Sequence, residues 1–395
     1  MVFSKKPLHF IIATLTACLS FSGFANPTQD SVAAPAQNPH ETHAAAAAHT
    51  GHGEAKEGLS EADQAEAERK EFIKHHLLDS HDFHLFSYGK ESGHEKHVGF
   101  PLPVILIDNG VHFFMSSKFE HGHAVAESNG SYYMIGHHDG KIYRTDAAGT
   151  VTEDAKGHIT NVKPIDLSIT KNVTMILLTG LIMFLLFAGL GKSYKKNGSI
   201  AKGAGRFFEP LILYVRDEIA IPNIGEKHYK KYMSFLLTVF FFVWFLNIFG
   251  LTPLGINVTG NIAITAALAV ITYLITTFTA KKDYWGHIFW MPGVPVPMKF
   301  VLAPIELLGT IIKPFSLMIR LYANILAGHV VLMSLVALMY KANSAIGSPL
   351  AFLLSFVLML LEVLVALLQA YIFTMLAALY FGAAVEEHHH DEAHH

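Results

Sequence analysis

Long apolar runs separated by short basic clusters fill the second half of the chain. Residues 173–190 form a run of spanning length, because about 20 apolar residues cross a hydrocarbon core of about 30 Å. Lys192, Lys195, Lys196, Lys202 and Arg206 close it, and since Lys- and Arg-rich loops stay cytoplasmic, this span is predicted to run from outside to inside. Residues 207–221 mix large apolar side chains with Glu209, Arg216, Asp217 and Glu218, the pattern of an amphipathic helix on the inner surface. A second span, 232–254, returns outward after Lys227, Lys230 and Lys231, and a third, 262–280, comes back to Lys281 and Lys282. The proline-bearing stretch 285–298, with Trp290, predicts a rigid interfacial connection. Two longer apolar stretches follow, about 300–340 and 350–384. The first is nearly twice the length of one perpendicular span, so it either folds back as a re-entrant hairpin or lies steeply tilted.

The pattern before residue 165 differs. Lys5 and Lys6, the apolar stretch 8–19 and Gly23-Phe24-Ala25 read as a secretory signal over residues 1–25. Leu15-Thr16-Ala17-Cys18 also resembles a bacterial lipobox, so cleavage after Ala25, lipid attachment at Cys18 and an uncleaved anchor are three competing fates. With a single cysteine the chain forms no internal disulfide. Residues 26–80, rich in Ala and His, predict an extracytoplasmic linker, with a charged helix over 59–78 capped by Ser60. Over 81–165 short β-type runs appear: residues 104–107 lead through Asp108-Asn109-Gly110 to 111–114, and 132–135 lead through Asp139-Gly140 to 141–143. Asn-Gly and Asp-Gly supply the positive φ of a tight hairpin turn. The expected architecture is an all-α polytopic membrane protein of about five crossings with a small external β-containing N-terminal region. Its membrane domain would occupy residues 166–387, and a His-rich tail, 388–395, would end in the cytoplasm.

Composition narrows the function. At 51% hydrophobic and 15% charged over 395 residues the chain is of the integral membrane class. A net charge of -3, with lysines gathered beside membrane runs, excludes a nucleic-acid-binding stripe.

Ionisable residues inside the last two stretches are the candidate chemistry. Arg320 stays charged at any physiological pH, and a guanidinium at mid-bilayer costs at least about 2.5 kcal/mol. Snorkelling to the interface is one way out, but apolar sequence extends two turns or more on either side. Lys313, Arg320 and Asn324 are seven and four residues apart, hence on one helical stripe, and Glu306 lies seven before Lys313. Glu362 and Gln369 repeat the seven-residue step on the last helix. Interhelical hydrogen bonding is an alternative role for Asn324 and Gln369. It does not account for a permanent cation beside groups that gain and lose protons, Glu306, His329 and Glu362; a proton path with an electrostatic gate does.

These residues resemble subunit a of the F-type ATP synthase. The resemblance rests on Lys313-Pro314, Ser316, Arg320-Leu321, Asn324 and Ala327-Gly328, with residues 368–373 (Leu-Gln-Ala-Tyr-Ile-Phe) in the last helix. Residues 244–247 and 257–259 and Asp166 support it. The resemblance implies that Arg320, Asn324 and Gln369 form a gate facing a rotating c-ring and that Glu306, His329 and Glu362 line a proton path, placed together in the external half-channel. His329 and Glu362 stand exchanged, imidazole for acid, relative to some bacterial members. It further implies subunit b and the remaining synthase subunits as partners, a bacterial inner membrane location, no cofactor and no nucleotide chemistry in this chain. Two other classes compete. Histidines crowd the extension, among them His40, His43, His75, His76, His81 and His84, which fits a membrane-anchored metal or pH sensor. A secondary transporter would show internal hydropathy repeats, and none is found.

Overall fold

The computed structural model of the chain describes residues 79–88, 96–122, 124–136, 139–154, 159–197, 203–252, 258–291, 294–341 and 347–386. The signal segment with Cys18, nearly all of the linker and the His-rich tail lie outside these residues.

Both expected hairpins form. Strand β1 (Asp82–Tyr88) pairs with β2 (Lys96–Pro101), and β3 (Pro103–Ile107) turns back into β4 (Val111–Met115) with Val104 opposite Phe114. Asn109 at φ 50° and Gly110 at φ 152° make that turn. Strand β8 (Ile165–Asp166) adds to the free edge of β3, and strands β5 (Ala126–Ser128), β6 (Ser131–Ile135) and β7 (Ile142–Thr145) form a third antiparallel sheet, separate from β1-β2 and β4-β3-β8. Alternation decides the core: Val104, Leu106 and Phe114 point inward onto Phe119 and Tyr133, while Val111, Phe113 and Ile107 face out. Phe83 and Leu102 instead join the core of the helical part, seating the β region on the membrane helices.

Helix α1 (Lys171–Asn197) follows β8 after four residues. Helix α2 (Ala204–Tyr214) continues through a wider π-turn (Val215–Ala220) and a one-turn helix (Ile221–Ile224), ending at Gly225 with φ 86°. Helices α3 (Tyr229–Gly250) and α4 (Ile262–Thr279) are the second and third spans. The connection expected over 285–298 is partly helical: α5 (Lys282–Phe289) buries Ile288, and the next helix starts at Val296. Its apolar positions recur at helical spacing, which outweighs the nearby prolines.

The stretch after residue 296 does not fold back. Helix α6 (Val296–Lys341) is one helix of 46 residues, about 69 Å at 1.5 Å per residue. One unbroken helix excludes the hairpin alternative, and at this length it exceeds a hydrocarbon layer of about 30 Å, so it crosses one either inclined or with its ends beyond the apolar layer. Pro304 and Pro314 lie within it; each removes one backbone hydrogen bond, a loss that neighbouring helices make tolerable in membranes. Helix α7 (Gly347–Val385) is similarly long, giving five helices among the described residues with the length and apolarity to cross a membrane.

Helix α3 is the packing centre. Phe235, Phe240, Phe241 and Val243 are buried on it, and Tyr232 stacks on Phe381 of α7 with ring centroids 4.5 Å apart. The C-terminal half of α7 presents Ala370, Phe373, Ala377, Ala378 and Phe381 to this core, small residues that allow close helix approach. At Gly382 the approach is closest: a Cβ there would overlap the carbonyl oxygen of Asn223.

Candidate functional site

The site is built on α6 and α7, which run antiparallel against each other. Two contacts set their register. The Glu362 carboxyl occupies the space a Cβ of Gly328 would need, so an acid of α7 lies directly on the α6 backbone. Fifteen residues back along α6, Lys313 Nζ sits 6.0 Å from the ring centroid of Tyr380, eighteen residues beyond Glu362. Gln369 is seven residues into that interval and thus comes level with about residue 322 of α6, between Arg320 and Asn324. The three residues singled out for the gate share one depth.

Their exposure differs in a telling way. Arg320 and Asn324 are exposed, as are Ser316, Ala323 and Ala327, so one stripe of α6 carries a cation and an amide among small side chains. Leu317 and Leu321, on the adjoining face, are buried against the bundle, and Gln369 is only 3% exposed. A permanent cation on an apolar outer stripe is costly against lipid. It is suited to a surface that brings its own carboxylate.

On one side of this level, the half-buried Glu362 borders a small cavity with Leu246, Asn247, Gly250, Thr259, Ile325 and Ala366. Thr259 Oγ1 donates to Asn247 Oδ1 over 2.6 Å, and the buried Asn247 Nδ2 has no hydrogen-bond partner among the described residues. Sequence reasoning did not select Asn247 or Thr259 as site residues, because they lie on other elements; a polar residue in an otherwise apolar span was their only signal. His329 follows Gly328 in α6, and its side chain lies outside the described set.

On the other side a second cavity is lined by Thr272, Tyr273 and Thr276 of α4, Tyr284 of α5, Thr310 and Lys313 of α6, and Tyr380 of α7, among others. Glu306 lies within electrostatic reach of Tyr284, and Tyr380 within that of Arg320. Glu306, expected to line one proton path with His329 and Glu362, thus stands apart from Glu362 along the helix. Glu306 is fourteen residues before Arg320 and Gly328 eight after it on one unbroken helix, so the two acids lie about 30 Å apart along the axis. The seven-residue step reports a shared face, but each step also moves a residue about 10 Å along the axis.

No group of three or more His, Cys, Asp or Glu side chains arranged to hold a metal exists among the described residues. Most of the His-rich tract lies outside them.

Fold and site together define a multi-pass α-helical membrane protein whose ionisable residues sit on two long, antiparallel helices. The model of the ATP synthase A chain family matches residues 173–382, and that of a domain of unknown function (DUF8433) matches residues 72–167. The chain belongs to the ATP synthase A chain family. It is 40% identical over 235 residues to ATP synthase subunit a of Chloroherpeton thalassium, covering 58% of this chain and 70% of that protein. Against the subunit a of Myxococcus xanthus it is 40% identical over 237 residues, 58% of this chain and 77% of the relative. For that of Anaeromyxobacter sp. (strain Fw109-5) the figures are 38% over 239 residues, 58% and 57%.

Proposed function

We propose that this chain is the proton-conducting stator of a rotary ATP synthase, with Arg320 as the electrostatic gate between two half-channels. The observation that carries the reading is the exposed Arg320–Asn324 stripe, level with Gln369 and flanked along α6 by two separate small cavities, each lined in part by polar side chains. The partner on that stripe is a c-ring whose subunits each carry one carboxylate. Protonated, that carboxylate is neutral and faces lipid; ionised, it is drawn to Arg320. The guanidinium holds the empty carboxylate and repels excess protons, so a proton passes from one half-channel to the other only by riding the ring. A membrane potential supplies about 2.3 kcal/mol per charge per 100 mV, and rotation captures it.

The basic loops orient the chain with the β domain outside, in the periplasm of a bacterial inner membrane, and the C-terminus in the cytoplasm. In that orientation Glu362 and His329, with Asn247 and Thr259, line the outer half-channel. Glu306, with Tyr284, Lys313 and Tyr380, lines the inner one. Asn247 Nδ2 offers a hydrogen bond to water approaching Glu362, and Gln369 and Asn324 orient the ring carboxylate beside Arg320. Subunit b and the remaining synthase subunits complete the assembly.

The test is ATP-driven proton pumping and passive leak in inverted membrane vesicles with wild type or Arg320→Ala, the bound c-ring quantified in parallel. Loss of pumping with assembly intact is expected. Coupled pumping at the wild-type rate would end the gate role.

A further inference from the structure

The gate and half-channels leave unused a set of buried titratable groups where the β domain meets α1. His81, just before β1, is 5% exposed, and its Nε2 lies 2.8 Å from Asp166 Oδ2 of β8, a partner 85 residues away. Asp166 is fixed in turn: its Oδ1 accepts the Ser168 N–H over 2.8 Å. Two residues before His81, Asp79 caps the start of α1. Its Oδ2 accepts from Thr170 Oγ1 over 2.9 Å and its Oδ1 from the Asn172 N–H over 3.2 Å, while the Lys171 N–H donates to the Ser80 carbonyl over 3.0 Å. The N-terminal amides of α1, which no intrahelical carbonyl satisfies, thus take their partners from a segment some 90 residues distant.

Among the described residues, the charges around His81 come from several elements. Asp79 and Asp82 approach from the β1 side and Asp166 from β8, with Lys171 of α1 set against Asp79. Ser116 donates to Asp82. Among the described residues, three half-buried carboxyls therefore meet one lysine and one buried imidazole. His81 Nδ1 is buried without a hydrogen-bond partner among the described residues. With Nε2–H directed at Asp166, Nδ1 is the atom that takes up the second proton, and the imidazolium then offsets the excess negative charge.

We propose that His81, held between Asp166 and the Asp79-capped start of α1, is a proton-operated clasp that fastens the β domain to α1 in acid and slackens as the medium turns alkaline. The assignment of that medium to the outer compartment rests on the orientation proposed above; the clasp itself does not. The titration directions agree with the geometry. Burial disfavours a charged His81, but the hydrogen bond and charge of Asp166, with Asp79 and Asp82, outweigh it and raise its pKa above the usual 6.5. Burial also raises Asp79 above the usual carboxylate value, against the pull of Lys171, Thr170 and Asn172. Asp166, despite burial, is held below 3.8 by His81 and Ser168. Groups with a raised folded pKa stabilise fully below their unfolded value and lose that contribution as pH rises through the folded one. His81 and Asp79 thus both tighten the clasp toward acid, while the depressed Asp166 contributes fully above its unfolded value and its contribution is lost as pH falls through its lower folded one.

The test is hydrogen exchange of the amides of residues 168–172 in the purified full-length chain, from pH 5.5 to 9, corrected for intrinsic exchange, with amides of α3 as reference. Wild-type protection at 168–172 is expected to fall at least about fivefold from pH 6 to 9 while the reference stays constant. His81→Gln should flatten that profile. Asp79→Asn keeps the capping oxygen while removing one carboxylate, and should make the alkaline loss smaller. A wild-type profile that does not change with pH, or an unaltered profile in folded His81→Gln, overturns the clasp. If His81→Gln also loosens α3, the wild-type and Asp79→Asn profiles decide by the same criteria. Vesicle pumping by the Arg320 variants is a separate readout, so either reading fails alone.

Discussion

Gly328→Ala isolates the placement of the Glu362 acid from the stability of the bundle. A Cβ at Gly328 overlaps the Oε1, Cδ and Oε2 atoms of Glu362, so the two cannot keep their positions. The overlapped atoms are the far end of a flexible side chain, and swinging it to an off-rotamer setting costs about 0.5–1.5 kcal/mol. That is too little to unfold a core built on α3 and the second half of α7, neither of which contains the contact. Alanine is also the better helix former by about 1 kcal/mol, which offsets most of the loss. Proton transfer is less forgiving: donor and acceptor must approach to about 3 Å, and a misplacement of about 1 Å costs on the order of 10²-fold. The expected result is a fall of about 10- to 100-fold in ATP-driven pumping by inverted vesicles, with unchanged subunit content and thermal midpoint. Glu362→Asp, shorter by one methylene, should restore part of the rate in the Gly328→Ala background while being slow by itself. Wild-type pumping by Gly328→Ala would refute the reasoning, and so would a loss of pumping that tracks loss of assembly.

Gly382→Ala should behave in the opposite manner, because the obstructing atom is a backbone carbonyl, that of Asn223, which has no free end to move. Overpacking there should cost about 1–3 kcal/mol, read as a lowered thermal midpoint in detergent with assembly reduced in proportion. Asn247→Ala removes the acceptor of the Thr259 hydroxyl. With interhelical hydrogen bonds in membranes worth about 0.6 kcal/mol on average, stability should change little while pumping slows; equal pumping would remove Asn247 from the path. Glu306→Gln should leave the residues around Glu362 undisturbed and slow proton movement at the inner end. Its signature is a pumping defect that does not depend on the pH outside the cytoplasmic face.

Periodicity and charge determined much of this protein. A run of about 20 apolar residues has one cheap conformation in lipid, the helix, so the spans 173–190, 232–254 and 262–280 were legible, and the turn chemistry of Asn109-Gly110 and Asp139-Gly140 marked both hairpins. Arg320 stood out for an equally local reason, the cost of a permanent cation among apolar neighbours. Depth and partnership were not local. Whether residues 296–341 turned back or ran on as one helix depended on packing against α4 and α7, since proline is tolerated in either case. Glu306 and Glu362 look alike in sequence, and only the packing of Glu362 on Gly328 shows how far along α6 the two acids stand from each other. Asn247 and Thr259 come beside Glu362 only because α3 and the segment before α4 meet there. The Asp79, His81 and Asp166 junction is the extreme case, joining residues more than 80 positions apart. Sequence spacing reports which face a residue takes on its own element; which other element meets that face is set by the packing of the whole chain.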